Sequence, residues 1–145
     1  MKTFTNTNFT TSQVDLVLII LRIGVGVLML THGLPKLQML FAGGEIQFPG
    51  VLGLSPAVSL ALAVLTEVVG SILIIIGLGT RWVAIPLIAT MLVAVFVFHI
   101  NDPFANKELG LLYLVLYFPL LILGSGKYSV DQVINSVQSP VTVEE

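Results

Sequence analysis

The stretch LRIGVGVLMLTHGLPKL, residues 21–37, decides the fold. It is hydrocarbon at its start and middle, yet Arg22 stands near its head and His32 and Lys36 near its tail. A run this apolar belongs in a lipid bilayer. A lone charge at bilayer depth costs at least about 2.5–3.5 kcal/mol, so Arg22 must find a partner inside the protein.

The rest of the chain agrees with a membrane setting. Of 145 residues, 56% are hydrophobic and only 10% are charged, where a soluble domain carries about 25% charged residues. So few charges cannot cover a water-facing surface, and the lipid bilayer is the expected surrounding. The net charge of −2 is thinly spread, with no basic tract, so nothing suits the chain to nucleic acid through phosphate neutralisation. There are no cysteines, which excludes disulfides, thiolate metal sites and a CxxC redox relay within the chain.

Residues 1–15, MKTFTNTNFTTSQVD, form a polar N-terminal segment. The apolar run behind it holds Arg22 and reaches no small-x-small cleavage site, so it reads as a membrane helix and not a removable signal. A bilayer core needs roughly 17–25 apolar helical residues. Four segments qualify: about Leu16 to Thr31 extending toward Lys36, Ser55 to Leu78, Arg81 to Ile100, and Glu108 to Gly124. The expected fold is all-α, an integral membrane bundle of four transmembrane helices over residues 16–131. Residues 132–145 form a polar C-terminal tail expected to leave the membrane as a frayed end.

GLGTR and NDPFANK, between the later spans, are short turns, with glycine or Asp-Pro where a chain reverses. The first connection, GLPKLQMLFAGGEIQFPGVLGLSP, is long and far from polar. Leu37, Leu40 and Phe41 share one helical face before Gly43 and Gly44. It reads either as an interfacial segment covering one end of the bundle or as a loop resting on the headgroups.

An even number of spans puts both termini and the second turn on one side of the membrane. That side carries Lys2, Arg81 and Lys127, with Trp82 and Tyr128 as interfacial aromatics, against Lys36 and Lys107 opposite. Three cations against two place the termini in the cytoplasm under the positive-inside rule.

Glu67 falls near the middle of the second span. An intramembrane ion pair between Arg22 and Glu67, on adjacent antiparallel helices, is the expected remedy for both charges. Ser59, Ala63, Gly70, Ser71 and Gly77 line one stripe with Glu67, and Gly26 and Gly33 lie on the broad face of Arg22. Small residues let helices approach closely in lipid, so both charges should face the packed interior. Such a pair either fixes helix register or forms a proton or substrate site.

The far end gathers different chemistry. His32, His99 and Glu108 end or begin their spans at the same membrane face, with Lys36 and Asp102 nearby. Histidine carries protons near neutrality, which makes His32, His99 and Glu108 the candidate catalytic residues and Lys36 a cation at the substrate mouth. The bland reading has the histidines satisfying helix-end carbonyls. Two histidines on different helices can ligate haem, but there is no c-type attachment motif, and haem is not the expected cofactor. With no Glu-x-x-His and no thiolate, no metal site is expected. Tyr113 and Tyr117, one turn apart, either line the cavity or simply pack.

Taken as a set, LRIGVGVLMLTHGLPKL, LTEVVGSILIIIGLGTR, MLVAVFVFH and ELGLLYLVLYFPLLILGSGKYSVD resemble the DoxX/DoxD family over roughly residues 16–131. The positions that match the family pattern are Arg22, His32, Lys36, Glu67, Arg81, His99, Glu108 and Asp131. The fourth helix departs from the family's usual Gly-Pro-Gly-Arg, with Ser125 and Lys127 in place of the proline and arginine. The resemblance implies a four-helix protein of the bacterial inner membrane. Some relatives are the membrane subunit of a thiosulfate:quinone oxidoreductase and others are linked to thiol and oxidative-stress complexes. It carries over no catalytic residues.

Three functions are therefore expected to compete. The first is the membrane subunit of a quinone-linked oxidoreductase acting on a sulfur compound or thiol. It would take quinone as cofactor and need a second protein subunit or bound cofactor to carry electrons. The second is a membrane anchor that assembles soluble redox enzymes and does no chemistry of its own. The third is a small proton-coupled transporter built around Glu67, which with four spans would have to be a homo-oligomer.

Overall fold

The computed structural model describes residues 9–138. The parts of the polar terminal segments at 1–8 and 139–145 lie outside the described residues. Four helices are long and apolar enough to cross a membrane: α1 (Thr11–Phe41), α2 (Pro56–Ile76), α3 (Thr80–Phe98) and α4 (Phe104–Leu123). A short fifth helix, α5, covers Val130–Gln138. The described residues contain no strand, so the fold is all-α, as the composition and apolar runs require.

Local sequence explains the helix ends. The Thr10 hydroxyl accepts from the Gln13 N–H, and the Gln13 side chain accepts from the Thr10 N–H. This reciprocal cap starts α1 at Thr11, inside the polar N-terminal segment. The helix then continues through Pro35 to Phe41, longer than the bilayer core requires at about 1.5 Å per residue. Ser55 caps α2 and Pro56 occupies its first turn, where a missing N–H costs nothing. Gly77 ends α2 with φ +73, a left-handed conformation that glycine adopts without a Cβ penalty. α2 and α3 also contain π-helical stretches, Leu65–Gly70 and Ala94–Phe98, which no hydrophobic periodicity announces.

The spanning helices pack in sequence order and close on themselves, α1 on α2, α2 on α3, α3 on α4, and α4 back on α1. The main core joins Val25 and Met29 of α1, Ile74 of α2, Leu87 and Met91 of α3, and Tyr113, Tyr117 and Leu120 of α4. A second cluster forms at one end, where Leu60, Val64 and Val68 of α2 meet Leu37 and Leu40 of α1 and Ile46 and Phe48 of the long connection. That connection therefore folds back over the end of the bundle. Of the two expectations for it, this is the covering one.

The tail differs from expectation. Val130–Gln138 is helical and its first turn is fastened to the bundle by Asp131, whereas a frayed polar end was expected. Paired hydrogen bonds at that turn outweigh the polar composition of the segment.

Glycines set the register between α1 and α2. A Cβ at Gly26 would come 3.1 Å from the Ser71 carbonyl oxygen, and one at Gly33 would come 3.1 Å from the Glu67 Cβ and 2.8 Å from Val68. Gly33 is thus level with Glu67, while Arg22 lies level with Ile75. Gly33→Leu should lower the thermal unfolding midpoint in detergent by the equivalent of roughly 1–3 kcal/mol, the usual cost of overpacking. Gly24→Leu, where nothing lies within 4 Å, should leave the midpoint unchanged. Equal effects of the two would refute the close approach.

Candidate functional site

The register separates the two charges expected to pair. Ile75, beside Arg22, is eight positions beyond Glu67, roughly 12 Å along the helix axis. Arg22 and Glu67 therefore do not meet, and each finds another partner. This corrects the expected Arg22–Glu67 ion pair.

Arg22, only 2% exposed, is held by backbone carbonyls. It donates through Nη2 to Tyr128 at 2.8 Å and to Ile75 at 3.3 Å, and through Nη1 to Ser125. The Ile75 carbonyl lies in the last turn of α2, where acceptors lack helical partners. Gly77 makes room, because a Cβ there would come 2.6 Å from the Arg22 Nη1. Asp131 completes this end. Its carboxylate accepts from the Gly79 N–H at 2.8 Å and the Thr80 N–H at 3.4 Å, and its own N–H donates to the Gly77 carbonyl at 3.0 Å. It thereby caps α3, whose preceding residue, Gly79, has no side chain to do so.

Glu67 pairs instead with Lys36, which extends from the last part of α1. The carboxylate is buried and Lys36 is partly exposed, with its ammonium 5.9 Å from the centre of the Phe48 ring. Oε2 of Glu67 has no hydrogen-bond partner in the protein. Glu67 sits within the π-helical stretch of α2, a distortion that often marks functional positions.

Lys36 and Glu67 line a cavity of about 500 Å³ whose wall also includes Ser59, Thr66, Thr90 and His99 among mainly apolar residues. This volume lies within the range of about 300–1,000 Å³ usual for small-molecule pockets. Phe48, Val51 and Leu54 of the long connection close one side, and Val93, Ala94 and Phe98 of α3 form another. The Thr90 hydroxyl donates to that of Thr66 at 3.1 Å. His99 Nδ1 lies 2.6 Å from Asp102 Oδ2, and Asn106 donates to the same oxygen at 3.2 Å. This is the arrangement by which a carboxylate orients an imidazole and fixes its tautomer.

The other expected site residues fall elsewhere. His32 does not line the cavity and meets Tyr113 edge-on, with ring centres 5.9 Å apart. Glu108 is exposed and outside the cavity wall. Tyr113 and Tyr117 stack with centres 6.0 Å apart inside the main core, so they pack and do not line the cavity. The Tyr117 hydroxyl is nonetheless buried with no partner. Among the described residues no three His, Asp or Glu side chains come together as metal ligands. Thr66 and Thr90 were not foreseen, and Ser59 was read only as a small residue on the stripe of Glu67, since hydroxyls at helical spacing in an apolar run look like packing residues. Asp102, noted only as a neighbour, proves to be the partner of His99.

Two outcomes test this geometry. Lys36→Met should destabilise the protein by about 3 kcal/mol, the lower end for breaking a buried pair, because Lys36 is partly exposed. Adding Glu67→Leu should recover most of that loss in a double-mutant cycle, whereas simple additivity would contradict the pairing. The second outcome concerns Asp102, whose carboxyl is held below the usual carboxylate range by the His99 hydrogen bond and then by Asn106. A lowered folded pKa gives stability that is complete above the unfolded value of about 3.9 and is lost as pH falls through the folded value. Amide exchange across residues 99–106 should therefore rise below about pH 4. Asp102→Asn should already exchange faster at pH 7 and show no such acid step.

Comparison with known proteins agrees with this architecture. The sequence model of the family described as DoxX matches residues 17–100. A Bacillus subtilis (strain 168) protein named "Putative oxidoreductase CatD" is 32% identical over 114 residues, covering 78% of this chain and 83% of that protein. An "Uncharacterized protein" of Haemophilus influenzae (strain ATCC 51907 / DSM 11121 / KW20 / Rd) is 36% identical over 118 residues, covering 77% of this chain and 85% of its own. No solved structure matches the chain. With four apolar helices of spanning length, this chain is a multi-pass membrane protein and belongs to the DoxX family.

Proposed function

We propose that the protein is the membrane subunit of a quinone-linked oxidoreductase in the bacterial inner membrane, with its termini in the cytoplasm, and that it serves the oxidation of a sulfur compound or thiol. The observation that carries this reading is a largely apolar cavity lined by both the Lys36–Glu67 pair and His99, whose Nδ1 engages Asp102 behind the wall. A flat ring with two carbonyl oxygens suits such a wall, apolar along its length and polar at a few fixed points. The name carried by the Bacillus subtilis relative points to the same class of chemistry.

Quinone, when bound, accepts two electrons and two protons and leaves as quinol. The reductant is the sulfur compound or thiol, and its electrons arrive through a partner subunit, since the chain has no cysteine. Within the chain, Lys36 offers an ammonium donor to a carbonyl oxygen and holds a positive charge beside it. His99 acts as the proton-exchanging group. Asp102 engages Nδ1, which leaves Nε2 to pass the proton, and the carboxylate stabilises the imidazolium formed when the ring is protonated. Glu67 balances the Lys36 charge and keeps its side chain at the cavity wall. The apolar remainder excludes water and admits the ring from lipid.

The test is quinone reduction by the protein reconstituted with its partner subunit, together with organic extraction of the purified protein. Quinone should co-purify. His99→Ala should lower turnover by at least about 10²-fold, as for loss of a general acid–base group, while the protein remains folded in the membrane. Full turnover by that variant would overturn the reading.

A further inference from the structure

The C-terminal helix has a face that nothing in the bundle covers. Val130, Val133, Ile134 and Val137 of α5 recur at the spacing that places side chains on one helical stripe. All four are exposed, Val133 to 62% and Val137 to 80%. Asp131, Gln132, Asn135 and Gln138 occupy the rest of the surface, and none of the helix is buried. A nine-residue helix has too little intrinsic stability to persist alone in water, so the stripe needs a cover.

The first turn fixes where that cover must be. The hydrogen bonds of Asp131 with Gly77, Gly79 and Thr80 tie α5 to the turn between α2 and α3, which is one end of the membrane-spanning bundle. Trp82, 80% exposed, and Tyr128, 53% exposed, stand at the same end. Such aromatics settle at headgroup level. α5 is therefore anchored at the end where these aromatics stand, with Ile134 bordering the cleft that Trp82 also lines. Four aliphatic side chains are far short of the roughly 1,000 Å² that a specific protein interface buries. They suffice to seat an amphipathic helix that is already tethered to the membrane.

Charge adds a direction. Arg81, Lys127, Asp15 and Asp131 border a cleft beside α5. The two carboxylates are engaged by backbone N–H groups, Asp15 by Lys127 at 2.8 Å and Asp131 by Gly79 and Thr80. Lys127 and Arg81 are exposed, and each cation near a lipid surface is drawn to anionic headgroups.

We propose that α5 is a membrane-surface helix, with its Val130–Val133–Ile134–Val137 stripe in the acyl boundary and Arg81 and Lys127 on the headgroups of anionic phospholipid. This assignment does not depend on what the cavity binds.

The absence of cysteine from the chain makes the test direct. Val133→Cys, Val137→Cys, Gln132→Cys and Gln138→Cys are introduced singly into the full-length protein and labelled with nitrobenzoxadiazole. Each is reconstituted into phosphatidylglycerol–phosphatidylcholine vesicles containing nitroxide lipid. Probes at 133 and 137 should be blue-shifted and quenched at least threefold more strongly than those at 132 and 138. Water-like emission from all four would overturn the proposal. So would stripe probes shielded from lipid nitroxide but cross-linking to a second copy, which would make the face a protein interface. In vesicles of phosphatidylcholine alone, quenching at 133 and 137 should fall at least twofold, and Lys127→Gln should reproduce that fall in the mixed vesicles. Equal quenching in both compositions would overturn the anionic preference.

Discussion

A guanidinium withdrawn from water inside an apolar bundle must be given acceptors, and in this protein they are backbone carbonyls from distant parts of the chain. Arg22 of α1 gathers the end of α2 through Ile75 and the segment after α4 through Ser125 and Tyr128. An aspartate or glutamate directly opposite would have satisfied the charge but tied only two helices together. Carbonyls at helix ends and in a loop are otherwise short of donors, so one side chain of α1 serves three carbonyls from two other segments at once. Gly77 is what lets the segments come close enough. With Asp131 capping α3 from beyond the fourth span, this end is knit into a fixed unit on which α5 is mounted.

Because Arg22 is satisfied there, Glu67 is left for Lys36, and the opposite end of the bundle acquires a different character. The ion pair is asymmetric, with its carboxylate buried and its ammonium partly exposed at the wall of an otherwise apolar cavity. The long first connection, packed on α2 through Ile46 and Phe48, closes the space that the helices alone would leave open. His99 comes to the same wall from α3, and Asp102 in the following turn sets its orientation. One end of the molecule is thus organised around backbone carbonyls and N–H groups, and the other around side chains at a cavity wall, where Glu67 Oε2 has no hydrogen-bond partner in the protein.

The bundle also buries polar atoms that find no protein partner: Arg22 Nε, Glu67 Oε2, Ser71 Oγ, Thr80 Oγ1 and Tyr117 OH. Buried polar groups cost free energy unless hydrogen-bonded. Ser71 lies one turn beyond Glu67 on α2, and Ile75, the acceptor for Arg22, a further turn on. Glu67, Ser71 and the Ile75 carbonyl thus place polar atoms at successive turns of α2 between the two ends.

Composition and apolar runs alone determined that the chain is helical and crosses a membrane four times, because the hydrogen-bonding demands of a bilayer leave a chain this apolar few alternatives. The same reasoning marked Arg22, Lys36, Glu67 and His99 as residues needing an explanation, since charge in an apolar run is costly wherever the run folds. It could not decide which charge meets which. That depends on the axial register of α1 against α2, set by the close approach of Gly26 and Gly33, and a shift of two turns exchanges every partner without altering the hydrophobic pattern. Nor could it separate inward from outward for His32, Glu108, Tyr113 and Tyr117, because helix rotation is fixed by neighbours and not by periodicity when all faces are apolar. The π-helical turn at Glu67, the use of carbonyls as the partners of Arg22 and the anchoring of α5 by Asp131 likewise arise only when distant segments meet, and tertiary structure alone decided them.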